Sequence, residues 1–419
     1  MPKTIAICGA GIIGVTAAYF ISKANSNYKV ILIDKIQPMS FTSSKSGENF
    51  RDYWPHPCME QLSSRSIELM ENLRSEFGED SFEMDFSGYH FVSHNRNKNI
   101  FADDNSDEFM LRNQVETNSE NIQKVHPYLD NGIQKSVFIQ KAGHLDSYAM
   151  GSLFIREAKK MGMEMVQGEI LNIEHSKNQF EIKLDSNQTI QSDKIVIAAG
   201  PFLNYIAKMV GIEFPIWNTL QRKFIMPDPL KIIPSNMPFT IYSDGQFLDW
   251  SEEEKAFFQS EEKYHRLLQK FPGAIHIKPE PGGKLKMGWA FQTENVRPTW
   301  EIPDFEFFPQ IVLKGASRFI PQLKIYENNI PTPIIEYAGH YTRTPENWPL
   351  IGPTIIENVY VIGALAGFGT MTSCAAGELC ANHIFEKNLP DYAEYFHPNR
   401  YRNPKILKEI EELDSDGQL

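Results

Sequence analysis

The residues whose spacing speaks most directly of chemistry are Gly9, Gly11 and Gly14, which follow the apolar run Thr4-Ile5-Ala6-Ile7-Cys8 in a G-x-G-x-x-G pattern. Gly9 permits a tight turn, Gly11 lets backbone N–H groups approach a pyrophosphate, and Gly14 lets a helix pack closely on the strand. The N-terminus of the helix that starts at Gly14 then faces the phosphate charge. A second β-branched run, Val30-Ile31-Leu32-Ile33, ends in Asp34 and Lys35, and Asp34 stands twenty residues beyond Gly14, where a carboxylate takes a ribose hydroxyl pair. An ordinary glycine turn needs neither the second strand nor the acid, so the pattern reads as a dinucleotide cradle.

These residues require a parallel sheet to hold them, and the chain is long enough to build one. It has 419 residues, 42% of them hydrophobic, which is comfortable for two domains. The helix after the cradle is expected over 14–24. Met59, Leu62, Leu69, Met70, Leu73 and Phe77 predict an amphipathic helix over 58–77 with Gly78 as its stop. From 82 to 143 the pattern is irregular, with a polar stretch at 95–107 expected as exposed loop. Asp146 can cap a helix to Gly162, and strands are expected at 163–166, 180–184 and 194–199. Strand-like segments at 220–226 and 285–290, with a charged helix over 251–271, suggest a mostly antiparallel unit. An apolar strand at 359–363 and a helix over 373–385 return to the first pattern, and 411–419 is expected to fray.

The expected fold class is therefore α/β, with a discontinuous Rossmann-like nucleotide domain (1–85, 146–214 and 331–390) and a substrate domain (86–145 and 215–330) on a mostly antiparallel sheet with helices. A C-terminal tail, 391–419, completes the chain. A net charge of −12 disfavours nucleic acid or an anionic membrane as partner. No run of about 18 apolar residues predicts a membrane span. Cys8, Cys58, Cys374 and Cys380 form no CxxC pair, which suits a reducing cytoplasm, and the apolar start is read as mature structure rather than a signal peptide. No metal site is expected.

Five stretches carry a resemblance that spans nearly the whole chain: GAGIIG at 9–14, SSKSGENFR at 43–51, IVIAAGPF at 195–202, YTRTPENWPLIGP at 341–353 and ALAGFGTMTSCAAGEL at 364–379. Together they resemble the D-amino acid oxidase superfamily, in the branch containing glycine and sarcosine oxidases. The resemblance implies FAD in the cradle, with Ser43, Ser44, Ala199, Gly200, Gly363, Gly367, Phe368, Gly369 and Thr370 joining Gly9, Gly11, Ile12, Ile13, Gly14, Asp34 and Lys35 around it. Small residues in the late turn let a planar ring lie on backbone, and the following helix dipole favours an anionic reduced ring.

Departures from that family bear on the reaction. Sarcosine oxidases attach FAD through a cysteine where this chain has Gly339, so the FAD is expected to be noncovalent. The family's carboxylate-gripping arginine aligns with Tyr341, the sarcosine oxidase lysine with Met371, and the histidine of the late turn with Phe368. The remaining carboxylate candidates are Arg51, which alternatively serves the pyrophosphate or a surface pair, and Arg343. Lys286, in Lys286-Met287-Gly288-Trp289, matches the sarcosine oxidase lysine that activates oxygen, or is simply exposed. Trp54, Trp289, His340 and Met371 are expected around the substrate, with Tyr53, Tyr341 and Trp348 as further aromatic wall or core.

The resemblance thus implies oxidation of the C–N bond of an amino acid or N-substituted amino acid, with oxygen as acceptor. Two alternatives stay open: a dehydrogenase of an amine or hydroxy acid that passes electrons to a quinone or protein, and an FAD-binding subunit of a larger oxidase complex.

Overall fold

The computed structural model describes residues 3–24, 27–101, 104–176 and 179–413. Two sheets organise the chain. The first has six strands in the order Leu350–Pro353, Val359–Gly363, Lys194–Ile197, Lys3–Cys8, Tyr28–Asp34 and Glu164–Gln167. Its pairings are parallel except the one between Leu350–Pro353 and Val359–Gly363. Ile5, Ile7, Leu32, Ile33, Val196 and Ile197 are almost entirely buried, as continuous apolar strands covered on both faces must be.

Helices Ile12–Ala24, Ser147–Lys160 and Gly369–Ile384 cover one face of this sheet, and Pro57–Phe77 packs on the last of them. The sequence dictates these ends locally. The His56 side chain accepts from Cys58 N–H, Pro57 opens the helix, and Gly78 closes it at φ 104°. Asp146 likewise accepts from Ala149 N–H at 2.8 Å. Met59, Leu62, Ile67, Met70 and Leu73 are buried from the 57–77 helix, each contributing about 1.5–3 kcal/mol.

The second sheet has eight strands in the order Ile335–Arg343, Trp217–Pro227, Lys284–Trp289, Ile275–Glu280, Phe239–Tyr242, Tyr89–Ser93, Lys135–Ile139 and Asn113–Glu116. All pairings are antiparallel except that of Phe239–Tyr242 with Tyr89–Ser93. Helix Phe308–Ala316 packs against its far face in an aromatic core with Trp289, Phe291 and Phe271.

The structure differs from the sequence reading in several places. The late helix begins at Gly369 rather than 373, because Gly369 and Thr370 serve as its first turn instead of as breakers. The charged segment after Ser251 is an α-helix only over Glu252–Ser260 and then a 3-10 helix over Glu262–Leu268. The polar stretch at 95–107 is not all exposed: Asp104 is buried and paired with buried Lys135 at 2.8 Å, since a buried ammonium needs a carboxylate. Residues 102–103 of that stretch lie outside the described residues, as does 414–419 of the end expected to fray.

The chain passes from the second sheet to the first between Arg343 and Leu350, and the C-terminal segment pins this crossing. Arg400 donates to Pro349 O at 2.7 Å and Trp348 O at 3.0 Å, and pairs with Glu346, with both side chains fully buried. Phe396 and Ile406 of the same segment join the first core. Removing one partner of such a pair strands a buried charge. Arg400→Met is therefore expected to cost about 3–5 kcal/mol of stability in urea denaturation, and adding Glu346→Gln should restore part of it; an unchanged midpoint in the single variant contradicts the account.

Candidate functional site

The cradle folds as its spacing dictates. Gly9 sits at φ 114°, and a Cβ there would lie 2.5 Å from Ala198 O. A Cβ on Gly14 would lie 1.9 Å from Gly9 O, so only glycine lets the helix start this close to the strand end. Asp34 accepts from Ala10 N–H at 2.6 Å and Ile36 N–H at 3.1 Å. Burial pushes its carboxyl pKa up, against the opposing pull of those N–H groups. Ser43 caps the helix from outside, its Oγ accepting from Ile12 N–H at 2.9 Å.

One cavity, enclosing about 1540 Å³ of non-protein space with its mouth, runs along this turn. Its walls bring together Gly9, Gly11, Ile12, Ile13, Asp34, Lys35, Ser43, Ala199, Gly200, His340, Tyr341, Gly363, Gly367, Gly369 and Thr370. The late turn closes its inner wall. The Tyr341 ring lies on Gly367, where a Cβ would come within 2.6 Å of Cε2, and Ala366 N–H donates to Thr342 O at 2.9 Å. Thr370 Oγ1 meets Ser46 Oγ at 2.9 Å, which ties the late helix to the loop after Ser43. The N-terminus of helix Gly369–Ile384 opens on the cavity with no side-chain cap.

Other predicted residues lie elsewhere. Gly14 supports the cradle from behind, and Ser44 spends its hydroxyl on Ser40 O and Phe41 O. Phe368 and Met371 are buried in the first core, Phe368 edge-on to Trp54 at 4.3 Å. Trp54 in turn carries the Arg51 guanidinium, 4.3 Å above its ring, so neither lines the cavity. Arg51 is 1% exposed, and burial pulls its pKa down to about 10. Tyr89, on the second sheet, feels both Arg51 and Tyr341.

Trp289 points to the opposite face of the second sheet, its indole N–H donating to Gly273 O at 3.1 Å, because it is one residue out of step with Gly288. Trp348 packs tilted against His56 and edge-on against Tyr395 near the buried Arg400, Tyr53 packs between Phe101 and Phe109, and Arg343 ends its strand opposite Trp217 outside the lining. Lys286 is also off the wall: its ammonium sits 2.7 Å from Glu280, which pairs with Lys278 as well at 3.3 Å.

Residues missed in the sequence replace them. Lys223 and Gln221, from the strand Trp217–Pro227, line the cavity together with Lys45. Trp300, Phe41 and Phe202 form an aromatic cover at the mouth, with Phe41 and Trp300 centroids 4.4 Å apart and Phe41 stacked on His340. The run Gln221-Arg222-Lys223 beside the apolar Phe224-Ile225-Met226 of one strand was the available signal.

These residues fit FAD: a carboxylate at one end, a backbone approach cleared of side chains, a helix N-terminus, and a small-residue turn beneath an aromatic ring. No described group of acidic, His or Cys side chains would hold a metal ion. Gly11→Val should crowd the approach, since a Cβ there already meets Ser43 Oγ at 3.2 Å. It is expected to weaken FAD binding by at least about tenfold with the fold retained by circular dichroism, and wild-type flavin content would contradict the cradle.

Comparison with known proteins agrees with this geometry. Human mitochondrial dimethylglycine dehydrogenase is 22% identical over 410 residues, covering 94% of this chain and 44% of that protein, so the chain spans less than half the length of this relative. Among solved structures, the L-proline dehydrogenase of P. horikoshii superposes with a TM-score of 0.74 at 21% identity, covering 96% of this chain and 99% of that one. The FAD-bound L-α-glycerophosphate oxidase of Mycoplasma pneumoniae gives 0.71 at 15%, covering 93% and 98%. The sequence pattern of the FAD dependent oxidoreductase (DAO) family matches residues 4–383, and the chain belongs to that family.

Proposed function

We propose that this protein oxidises the C–N bond of an amino acid or N-substituted amino acid, holding FAD noncovalently, with oxygen as the final acceptor. The observation that carries the reading is the cavity itself, whose cradle and late turn fit FAD and whose wall carries the ammonium groups of Lys223 and Lys45; the Arg51 guanidinium, buried over Trp54 beside Tyr89 and off that wall, is the further positive charge we assign to a substrate carboxylate. Relatives named for dimethylglycine and L-proline, both amines bearing a carboxylate, support the same substrate class.

The chemistry that bound FAD supplies is acceptance of a hydride at N5. The chain's own residues do the rest. Tyr341 and the 364–370 turn shape a flat wall, and the N–H groups of Gly369 and Thr370 favour negative charge beside it. Arg51 is proposed to orient the carboxylate so that the carbon next to nitrogen faces that wall. Asp34 and Glu169, the carboxylates among the described lining residues, sit at the Lys35 end, with Lys35 paired to Glu169 at 2.7 Å. No carboxylate base is needed, because burial of the amine favours its neutral form and the hydride leaves from carbon. Water then hydrolyses the released imine. Lys286, proposed from sequence as the oxygen-activating lysine, is given the supporting task of holding Glu280.

Gly339 leaves no thiolate for a covalent link, and a Cβ there would meet Lys45 Cβ at 3.1 Å. Acid precipitation is accordingly expected to release all yellow colour into the supernatant, and colour in the pellet overturns noncovalent binding. Arg51→Met keeps the stem volume over Trp54 while removing the charge. It should lower kcat/KM by about 30-fold to 1000-fold with the flavin spectrum intact. Unchanged kinetics would remove Arg51 from the site, and flavin loss would assign it to the cofactor. Product analysis tests the reaction class: one carbonyl product and one amine or ammonia should appear per two electrons transferred.

A further inference from the structure

The register of the second sheet gathers an excess of positive charge beside the cavity. Lys223 lies opposite Gly288, which lies opposite His276; one row on, Ile225, Lys286 and Lys278 are aligned in the same way. Alternate residues share a face, so Lys223, Lys286, Lys278 and His276 all project to one side. Glu280, two residues after Lys278, joins them there and holds both Lys278 and Lys286. Burial drives Glu280 up and the two lysines more than offset it, leaving its carboxyl below the usual range. The other nearby acid, Glu48, accepts from Ser147 Oγ at 2.9 Å.

Lys223 has no such partner. It is 8% exposed, and among the described residues no carboxylate lies within ion-pairing distance of it. It belongs to the cavity wall, and its Nζ lies 3.3 Å from the place a Cβ on Gly47 would take. Lys278 donates to Gly47 O at 3.1 Å, which puts a second ammonium immediately behind the same loop. Burial first, then repulsion by Lys286, pulls Lys278 down to about 8. His276 adds no compensation: burial and the neighbouring Lys223 and Lys278 keep it neutral. A lysine this buried is costly unless an anion meets it, and among the described residues nothing does.

Taking the amine-oxidation reading as given, we infer that Lys223 receives a second anionic group of the substrate, so that the preferred substrate is a dicarboxylic amine or amino acid. Arg51 holds one carboxylate and Lys223 the other, placed on the nitrogen substituent or on the side chain. Substrates with a single carboxylate leave Lys223 unpaired and bind less well.

Binding to the FAD-loaded protein, read from the flavin absorbance spectrum without turnover, tests this. Malonate, succinate and glutarate are titrated against acetate and propionate. The best dicarboxylate is expected to bind at least about tenfold more tightly than its monocarboxylate counterpart, the range of a buried charge-assisted contact. Lys223→Met should bring that ratio close to one, and Lys223→Arg should keep most of it. N-(carboxymethyl)glycine compared with N-methylglycine, and glutamate with glutamine, then show whether the second carboxylate sits on nitrogen or on the side chain. Equal affinities in the wild type overturn the inference, as does a ratio untouched by Lys223→Met. A Lys223→Met protein that purifies without flavin also overturns it, since the lysine then serves the cofactor. Failure of the amine reading has a different signature: dicarboxylates bind selectively, yet no amine reduces the flavin, and the anion site stands.

Discussion

The structure depends on holding two unlike sheets against each other across a single cavity, and the constraint that does so is the buried crossing at 344–349. One continuous piece of chain supplies the edge strand of the second sheet, Ile335–Arg343, and then two strands of the first, Leu350–Pro353 and Val359–Gly363. Arg400 and Glu346 neutralise each other inside it, and the guanidinium also donates to the carbonyls of Trp348 and Pro349. A pair of this kind adds little net stability over an apolar replacement but punishes any arrangement that separates its members. Tyr341 on one side of the crossing is thereby fixed on Gly367 from the other side.

From that placement the site follows. The cradle belongs entirely to the first sheet, where glycines at 9 and 14 let backbone pack so closely on backbone that no Cβ would fit between. The lysine face and the arginine belong to the second sheet and the short strand Asn49–Arg51 beside it. Substrate is therefore proposed to meet FAD at a junction where one layer supplies phosphate and ring contacts and the other supplies positive charge. The overall charge of −12 sharpens the contrast, since buried lysines are concentrated against an acidic background.

How much of this was legible in the sequence follows from how local each feature is. The geometry of the cradle, Asp34 and the late turn was readable because it rests on residues a few positions apart. The boundaries of the 57–77 helix were readable for the same reason, with a cap at one end and Gly78 at the other. Trp289 was misplaced because a strand reverses its face at every residue, and Gly288, not Trp289, faces the cavity side. Lys286 was singled out and Lys223 passed over because their difference lies in a partner: the hairpin that returns at Glu280–Lys284 brings Glu280 to Lys286 and leaves Lys223 unpaired among the described residues. Arg400 carried no local signal, since its carboxylate stands 54 positions away in sequence.

The central claim is that the charged layer and the FAD cradle together serve oxidation of a carboxylate-bearing amine. Anaerobic mixing of the purified yellow protein with amino acids, N-alkyl amino acids and the matching hydroxy acids, followed by flavin absorbance, tests it most directly. The account predicts bleaching by a carboxylated amine and none by its hydroxy acid counterpart. Bleaching by hydroxy acids alone would contradict it.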